Sequence, residues 1–215
     1  MLKIWGRRNS FNVQKVMWLL GELGLAHEHV NAGGAFGGLD APSFLAMNPH
    51  GRVPVIADDD GTIVWESHAI CRYLGARYGS GKFWPADPGE RSLADRWMDW
   101  ALATLQPDFM DLFWGFYRTP DSERNWSAIR DAVSRCARDY SLLDRHLAHR
   151  EYLAGDRFTL GDIPAGASLY RYLRLEIERP RIPHVEAWYR RLTERRSYRE
   201  NVMIPFDDLR GRISF

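Results

Sequence analysis

The chain has 215 residues, enough for one large domain or two modest ones. Its 29 basic and 28 acidic residues nearly cancel, so a nucleic-acid-binding surface is not expected. The first residues lack the pattern of a signal peptide, and no apolar run reaches the roughly 18 residues that cross a bilayer. These features predict a cytoplasmic protein that binds neither nucleic acid nor a membrane.

The two cysteines, Cys71 and Cys136, are far apart and form neither a CxxC motif nor a zinc-ligand pattern. Free cysteine is among the most buried residue types, so we expect both thiols in the core. A metal site is not expected from the sequence.

The first eighty residues alternate between strand and helix patterns. Residues 2–5 alternate as a short strand, residues 11–23 carry an apolar stripe at helical spacing, and residues 28–31 are predicted as a second strand. This opening is β-α-β.

A hairpin and a helix follow. Residues 53–56 and 62–65 are β-rich and are separated by an Asp-Gly turn, because Gly61 tolerates the positive φ of such turns. A helical pattern begins at Glu66 and ends near Tyr78. The order β-α-β, β-β-α predicts a thioredoxin-like domain over residues 1–80.

A Pro-containing linker at residues 81–88 precedes a second region, residues 89–215, that is predicted to be all-α. Helices are expected over 90–116, kinked near Pro107, and over 121–148, 162–176 and 184–195. Thr159 and Asp162 have the spacing of a helix capping box.

Two short pairs could form a ligand site. Val53-Pro54 opens a strand, and a cis bond there would leave the Val53 backbone able to pair with an extended peptide; the alternative is an ordinary trans proline at a sheet edge. Glu66-Ser67 stands at a strand-to-helix junction, where unpaired backbone N–H groups suit a carboxylate and Glu66 suits an ammonium group. The alternative is that Ser67 is only a helix cap.

The stretch His50-Gly51-Arg52-Val53-Pro54-Val55, followed by Glu66-Ser67-His68-Ala69-Ile70-Cys71-Arg72-Tyr73-Leu74, resembles the glutathione-binding region of the cytosolic glutathione transferases. The resemblance implies a cis Pro54, pairing of Val53 with the cysteinyl part of glutathione, and binding of the γ-glutamyl end by the Glu66-Ser67 pair. It also places His50 and Arg52 in the glutathione-binding set, with glutathione as co-substrate.

The resemblance is to the bacterial, theta- and delta-like serine type, and it implies that Ser10 donates a hydrogen bond to the glutathione thiolate. Asn12 is a second candidate, because some bacterial relatives use an amide there. A plain helix cap is the alternative for Ser10, although capping leaves the hydroxyl proton available for donation. The chain has no cysteine near this position, so mixed-disulfide chemistry on the protein is not expected.

Aromatic residues after the linker are candidates for the electrophile site. Phe113, Trp114 and Tyr117 recur at helical spacing, with Phe11 as a further lining candidate, although such a stripe is more often core. The expected activity is conjugation of glutathione to hydrophobic electrophiles by a homodimer. Two alternatives stay open: a non-catalytic glutathione-binding protein, and a glutathione-dependent disulfide reductase without a cysteine of its own.

Overall fold

A computed structural model describes residues 1–79 and 81–213 and divides the chain into two compact units. The first unit comprises Met1–Ala86 together with Ser197–Ile204, and the second comprises Asp87–Arg196 together with the segment that begins at Pro205. No helix in the described residues is long and apolar enough to cross a membrane.

The first unit contains a four-stranded sheet made of β1 (Leu2–Trp5), β2 (His27–Val30), β3 (Val55–Ala57) and β4 (Ile63–Trp65). The order of the strands in the sheet is β2-β1-β3-β4. Strands β1 and β2 are parallel, as expected for two strands joined by a helix, and the other pairs are antiparallel. The predicted hairpin is present: Gly61 has a φ of 87°, and Asp58 N donates to Thr62 O at 2.8 Å.

Two long helices accompany the sheet, α1 (Phe11–Leu23) and α3 (Ser67–Tyr78), and they pack against each other. The short helix α2 (Pro42–Leu45) lies between β2 and β3 in the chain. The predicted apolar stripe of α1 is buried, but burial extends beyond it to Gln14 and Lys15. Helix α1 ends where Gly24 adopts the left-handed conformation, with a φ of 65°.

The second unit is helical. It contains α4 (Pro88–Trp100), α5 (Gln106–Leu112), α6 (Trp126–Leu147), α7 (Asp162–Arg174) and α8 (Pro183–Glu194). Helix α9 (Arg196–Asn201) begins at Arg196 of the second unit, and its other residues belong to the first unit.

Residues 88–118 form one nearly continuous helical run, and the helix type changes directly before Pro107, where a kink is predicted. The stretches Ala101–Leu105 and Phe113–Arg118 are π-helical, and Pro107 lies in the first turn of α5, directly after the first of them. Proline lacks an N–H and its ring collides with the preceding turn of an α-helix. A wider π turn at that place gives the ring room.

Asp162 organises the start of α7. Its carboxylate accepts hydrogen bonds from Leu153 N at 2.9 Å, Thr159 N at 2.9 Å, Thr159 Oγ1 at 3.2 Å and Trp188 Nε1 at 3.1 Å. The predicted capping interaction between Thr159 and Asp162 is therefore present. The same carboxylate also binds Leu153 in the preceding loop and Trp188 on α8. Burial raises the pKa of Asp162 to about 6, while these donors oppose that rise.

The predicted second domain, residues 89–215, differs from the structure at residues 197–204, which belong to the first unit. Tyr198 packs edge-on against Trp18 with 4.7 Å between ring centroids, and Ser197 Oγ donates to Glu22 Oε1 at 2.9 Å. The amphipathic pattern of this segment does not show which unit it packs on. Both cysteines are buried thiols outside any disulfide, as expected.

Candidate functional site

Three connections leave the sheet of the first unit at the same edge. Trp5 at the end of β1 pairs with Val55 at the start of β3, and Val55 pairs with Trp65 at the end of β4. The loop to Ser10, the turn that contains Pro54, and the junction that contains Glu66 are therefore neighbours. The sheet register thus assembles the sequence-predicted residues of this unit.

The peptide bond between Val53 and Pro54 is cis, and Val53 is half-buried. The loop before it is held by Asn48, a buried residue that sequence reasoning missed. Asn48 Nδ2 donates to Arg52 O at 2.9 Å, and Asn48 Oδ1 accepts from His50 N at 3.1 Å. His50 and Arg52 have exposed side chains on this loop.

The junction between β4 and α3 is built around an unusual backbone conformation. Glu66 has a φ of 68°, in a region that residues other than glycine rarely adopt and that often accompanies binding sites. Its side chain is exposed, whereas Ser67 is buried at the first position of the twelve-residue helix α3. The first backbone N–H groups of a helix have no partner within it, so this end attracts a carboxylate.

Ser10 and Asn12 lie at the N-terminus of α1. Ser10 has the extended conformation of a helix cap, but its side chain makes no capping hydrogen bond to the backbone of α1 within residues 1–79. Its backbone does take part, since Ser10 O accepts from Gln14 N at 2.9 Å. The Ser10 hydroxyl therefore does not cap α1 in the part of the chain that the structure describes.

Asn12 belongs to a polar network that joins α1 to α3. Its Oδ1 accepts from Lys15 Nζ at 3.0 Å, and Ser67 Oγ lies 3.5 Å from the same oxygen. Lys15 Nζ also lies 3.0 Å from His68 Nε2 and 4.4 Å from the centre of the Phe11 ring. The structure thus brings together Asn12, a catalytic candidate, and Ser67, a candidate for binding the γ-glutamyl end.

Sequence reasoning missed Lys15 and His68. Lys15 is 0% exposed, and burial lowers its pKa to about 7, with the Glu66 carboxylate acting in the opposite direction. The helical pattern of α1 places Lys15 opposite the apolar stripe, which predicts exposure. A lysine that is covered by another helix leaves no local sequence signal, because its partner His68 on α3 lies 53 residues further along the chain.

The aromatic candidates separate into the two units. Phe11 is 6% exposed in the first unit, and Phe113 is 2% exposed in the second. Phe113 stacks on Phe109 and on Tyr117, with ring centroids 5.7 Å and 5.2 Å away. Phe113 therefore belongs mainly to the core of the helical unit.

Trp114 and Tyr117 are half-buried and line two different cavities of the second unit. Tyr117 lines a cavity of about 180 Å³ together with Tyr170, Phe206 and Arg174, and Trp114 lines another of about 530 Å³. The stripe expected from helical spacing is thus divided by the π-helical geometry of Phe113–Arg118.

One acidic group, Asp58, Asp59 and Asp60, has the proximity of metal ligands. Arg77 lies against all three carboxylates: Nε is 3.1 Å from Asp58, Nη1 is 3.0 Å from Asp60, and Nη2 is 3.6 Å from Asp59. A guanidinium group therefore already occupies the position that a cation would take.

Comparisons with known proteins agree with this architecture. Residues 5–83 match the family model "Glutathione S-transferase, N-terminal domain", and residues 105–196 match "Glutathione S-transferase, C-terminal domain". The chain is 41% identical to glutathione S-transferase GstB of Escherichia coli, over 95% of this chain and 99% of the relative. It is 31% identical to glutathione S-transferase 3 of Zea mays, over 94% of this chain and 93% of that protein.

A solved structure gives the same result. The theta class glutathione S-transferase from Xanthomonas axonopodis pv. citri, crystallised with glutathione bound, superimposes with a TM-score of 0.90 at 46% identity, over 95% of this chain and 98% of that one. Because two family models span most of the chain and the sheet register brings the predicted glutathione-binding residues to one edge, the chain belongs to the glutathione S-transferase family.

Proposed function

We propose that this protein is a glutathione S-transferase that adds the glutathione thiolate to hydrophobic electrophiles. The observation that carries the proposal is the single sheet edge at which the α1 N-terminus, Val53-Pro54 and Glu66-Ser67 meet. The similar theta class enzyme with bound glutathione supports it.

Each part of glutathione has matching chemistry at this edge. The N-terminus of α3 and the Ser67 hydroxyl suit the α-carboxylate of the γ-glutamyl end, and the Glu66 carboxylate suits its ammonium group. The Val53 backbone suits the cysteinyl amide, in the manner of an added strand. His50 and Arg52 supply donors for the glycyl carboxylate on the adjoining loop.

Catalysis requires the bound thiol to ionise near neutral pH. A free thiol of this kind has a pKa of ~8.5, so most of it is protonated at pH 7. Ser10 and Asn12 both offer donors at the positive end of the thirteen-residue helix α1, which stabilises an anion. Attack by the thiolate then forms the carbon–sulfur bond as the leaving group departs. Of the aromatic candidates, we expect the half-buried Trp114 or Tyr117, rather than the buried Phe11 and Phe113, to contact the electrophile.

The test is conjugation of glutathione to an aryl halide by the wild type, Ser10→Ala and Asn12→Ala. We expect kcat to fall by about 10- to 100-fold in whichever variant lacks the donor, with KM for glutathione changed by less than about threefold. Ser43→Ala, an exposed serine on α2, is the matched control and keeps full activity.

Other outcomes contradict parts of the proposal. Retention on immobilised glutathione without turnover of any electrophile indicates a binding protein. Reduction of a small glutathionyl disulfide without conjugation indicates a reductase. Full activity in both variants means that a backbone amide or water, rather than Ser10 or Asn12, stabilises the thiolate.

The same proposal includes a cytoplasmic homodimer that needs no metal. Leu93 on α4 and Leu102 on the following π-helical stretch are 37% and 46% exposed, and they are candidate contacts for a second copy. Sedimentation equilibrium tests the dimer, with a monomer mass contradicting it. Cell fractionation tests the compartment, and activity that survives a chelator tests the absence of a metal.

A further inference from the structure

Lys15 is a fully buried lysine directly behind the proposed thiolate site. It is 0% exposed, and its Nζ atom lies 3.0 Å from Asn12 Oδ1 and 3.0 Å from His68 Nε2. Removing an ammonium group from water is costly, and buried charges are seldom kept unless they are paired or used. Lys15 is therefore a candidate for a role in the chemistry.

The contacts of Lys15 fix the orientation of the Asn12 amide. Below its pKa of about 7, Lys15 is an ammonium group that only donates hydrogen bonds, so the Asn12 atom that faces Nζ in this state is the oxygen. The amide nitrogen then points away from Lys15, with its two N–H groups available to an acceptor on the other side. The same reasoning makes His68 Nε2 an acceptor, which places the ring proton on Nδ1.

A charged donor on the oxygen of an amide also strengthens the amide as a donor. Hydrogen bonds in a chain polarise one another, and the effect is larger in a buried environment than in water. Two hydrogen bonds in series, from Lys15 Nζ–H to Asn12 Oδ1 and from Asn12 Nδ2–H to the sulfur, can stabilise a thiolate without any contact between lysine and glutathione.

We propose that Lys15 is a positioning residue of the thiolate site, which orients and polarises the Asn12 amide so that it donates to the glutathione sulfur. The inference rests on the proposed function and assigns the Asn12 side chain a specific part in it. Lys15 itself touches neither substrate.

Three ionisable groups on or beside α3 face Lys15. His68 accepts from it, Glu66 favours its charged form, and Cys71 is a buried thiol whose pKa is raised to about 12 by burial, so Cys71 is neutral at pH 7. Coupling between Lys15 and the thiolate is reciprocal: the ammonium favours the anion, and the anion favours the ammonium.

The experiment measures the pKa of the bound glutathione thiol from the ultraviolet absorbance of the thiolate. The wild type is compared with Lys15→Met, Asn12→Ala and the double variant, and Lys3→Met serves as matched control. Lys3 lies on β1 of the same unit with a half-exposed side chain, and its substitution leaves the thiol pKa unchanged.

Lys15→Met is expected to raise the pKa of the bound thiol by about 1, a tenfold loss of thiolate below that pKa. At pH 6.5 kcat falls about tenfold, while KM for glutathione changes by less than about twofold. In the Asn12→Ala background, Lys15→Met has little further effect, because Lys15 acts through the amide. A general loss of packing gives additive effects instead.

Several results overturn the inference. In one such result the wild type lowers the pKa of the bound thiol while Lys15→Met or Asn12→Ala leaves that pKa unchanged. This result contradicts the role of Lys15 but is compatible with the proposed function. Additive effects in the double variant also contradict that role. A wild-type pKa equal to that of free glutathione overturns both proposals.

A second variant protects the test against misfolding. Lys15→Gln keeps a neutral donor of shorter length, and we expect a thiol pKa between those of the wild type and Lys15→Met. Thermal melting reports whether each variant folds. Failure of both Lys15 variants to fold assigns the lysine to the core structure and overturns the positioning role.

Discussion

Lys15 in the first unit and Asp162 in the second are both 0% exposed, yet their surroundings differ. The Asp162 carboxylate receives four hydrogen bonds, two on each oxygen, from a loop, a cap and α8. Lys15 contacts a side-chain amide and an imidazole, and both lie at the helix N-termini that form the proposed glutathione site.

The difference separates two uses of a buried charge. Asp162 joins backbone segments that would otherwise have buried N–H groups without acceptors, so its charge holds the second unit together. Lys15 instead contacts the side chains of Asn12 and His68 at the proposed site. A charge that is costly to bury and that contacts side chains of the proposed site is consistent with a role in the chemistry.

The largest expected effect is that of Asp162→Ala. Loss of the carboxylate leaves the N–H groups of Leu153, Thr159 and Trp188 without their acceptor. We expect the free energy of unfolding, measured by urea titration, to fall by about 4 kcal/mol. The exposed neighbour Asp156, changed to Ala, should alter it by less than about 0.5 kcal/mol. A small loss in Asp162→Ala would contradict the structural role.

A second prediction concerns the pH dependence of stability. The pKa of Lys15 is lowered by burial from its ordinary 10.5 to about 7. Between these pH values Lys15 is protonated in the unfolded chain but not in the folded chain. Burial of the charged lysine therefore lowers the free energy of unfolding by its full amount below pH 7, and this loss decreases as the pH rises toward 10.5.

Lys15→Met lacks this titration. The free energy of unfolding of the wild type, relative to the variant, should therefore increase by roughly 2 kcal/mol or more between pH 6.5 and pH 9.5. Urea titrations of both proteins at the two pH values make the measurement. If the free energies of unfolding of the two proteins change in parallel with pH, burial of Lys15 does not destabilise the folded chain. The contrast drawn between Lys15 and Asp162 would then be wrong.

The smallest effect is expected at Asp58, a carboxylate of the first unit that is 6% exposed. It accepts from Tyr73 Oη at 2.6 Å and from Tyr78 Oη at 2.7 Å. Burial alone would raise the pKa of Asp58, but these hydrogen bonds and Arg77 together lower it, so its stabilisation is present at neutral pH and is lost in acid.

Tyr73→Phe removes one of these donors and should lower the free energy of unfolding by about 1.5 kcal/mol at pH 7, with a smaller loss in acid. Asp59→Asn, at an exposed neighbour, is the control and should cost less than about 0.5 kcal/mol. An equal loss at both pH values would mean that the tyrosine contributes by packing rather than through the charged carboxylate.

Local patterns in the sequence determined much of the fold. The apolar stripe and Gly24 define α1 over Phe11–Leu23, the Asp-Gly turn defines the β3–β4 hairpin, and Thr159 with Asp162 marks the start of α7. In each case the signal and the structure it specifies lie within a few residues, so periodicity and turn chemistry are sufficient.

Tertiary structure decided what depends on segments far apart in the chain. The register of three strands placed Ser10, Val53 and Glu66 at one edge, and residues 197–204 joined the first unit through Trp18 and Glu22. Lys15 is the clearest case, because its position on α1 predicts exposure whereas α3 covers it. The sequence by itself determined the candidate pocket; the packing of α1 on α3 decided that a buried charge stands behind it.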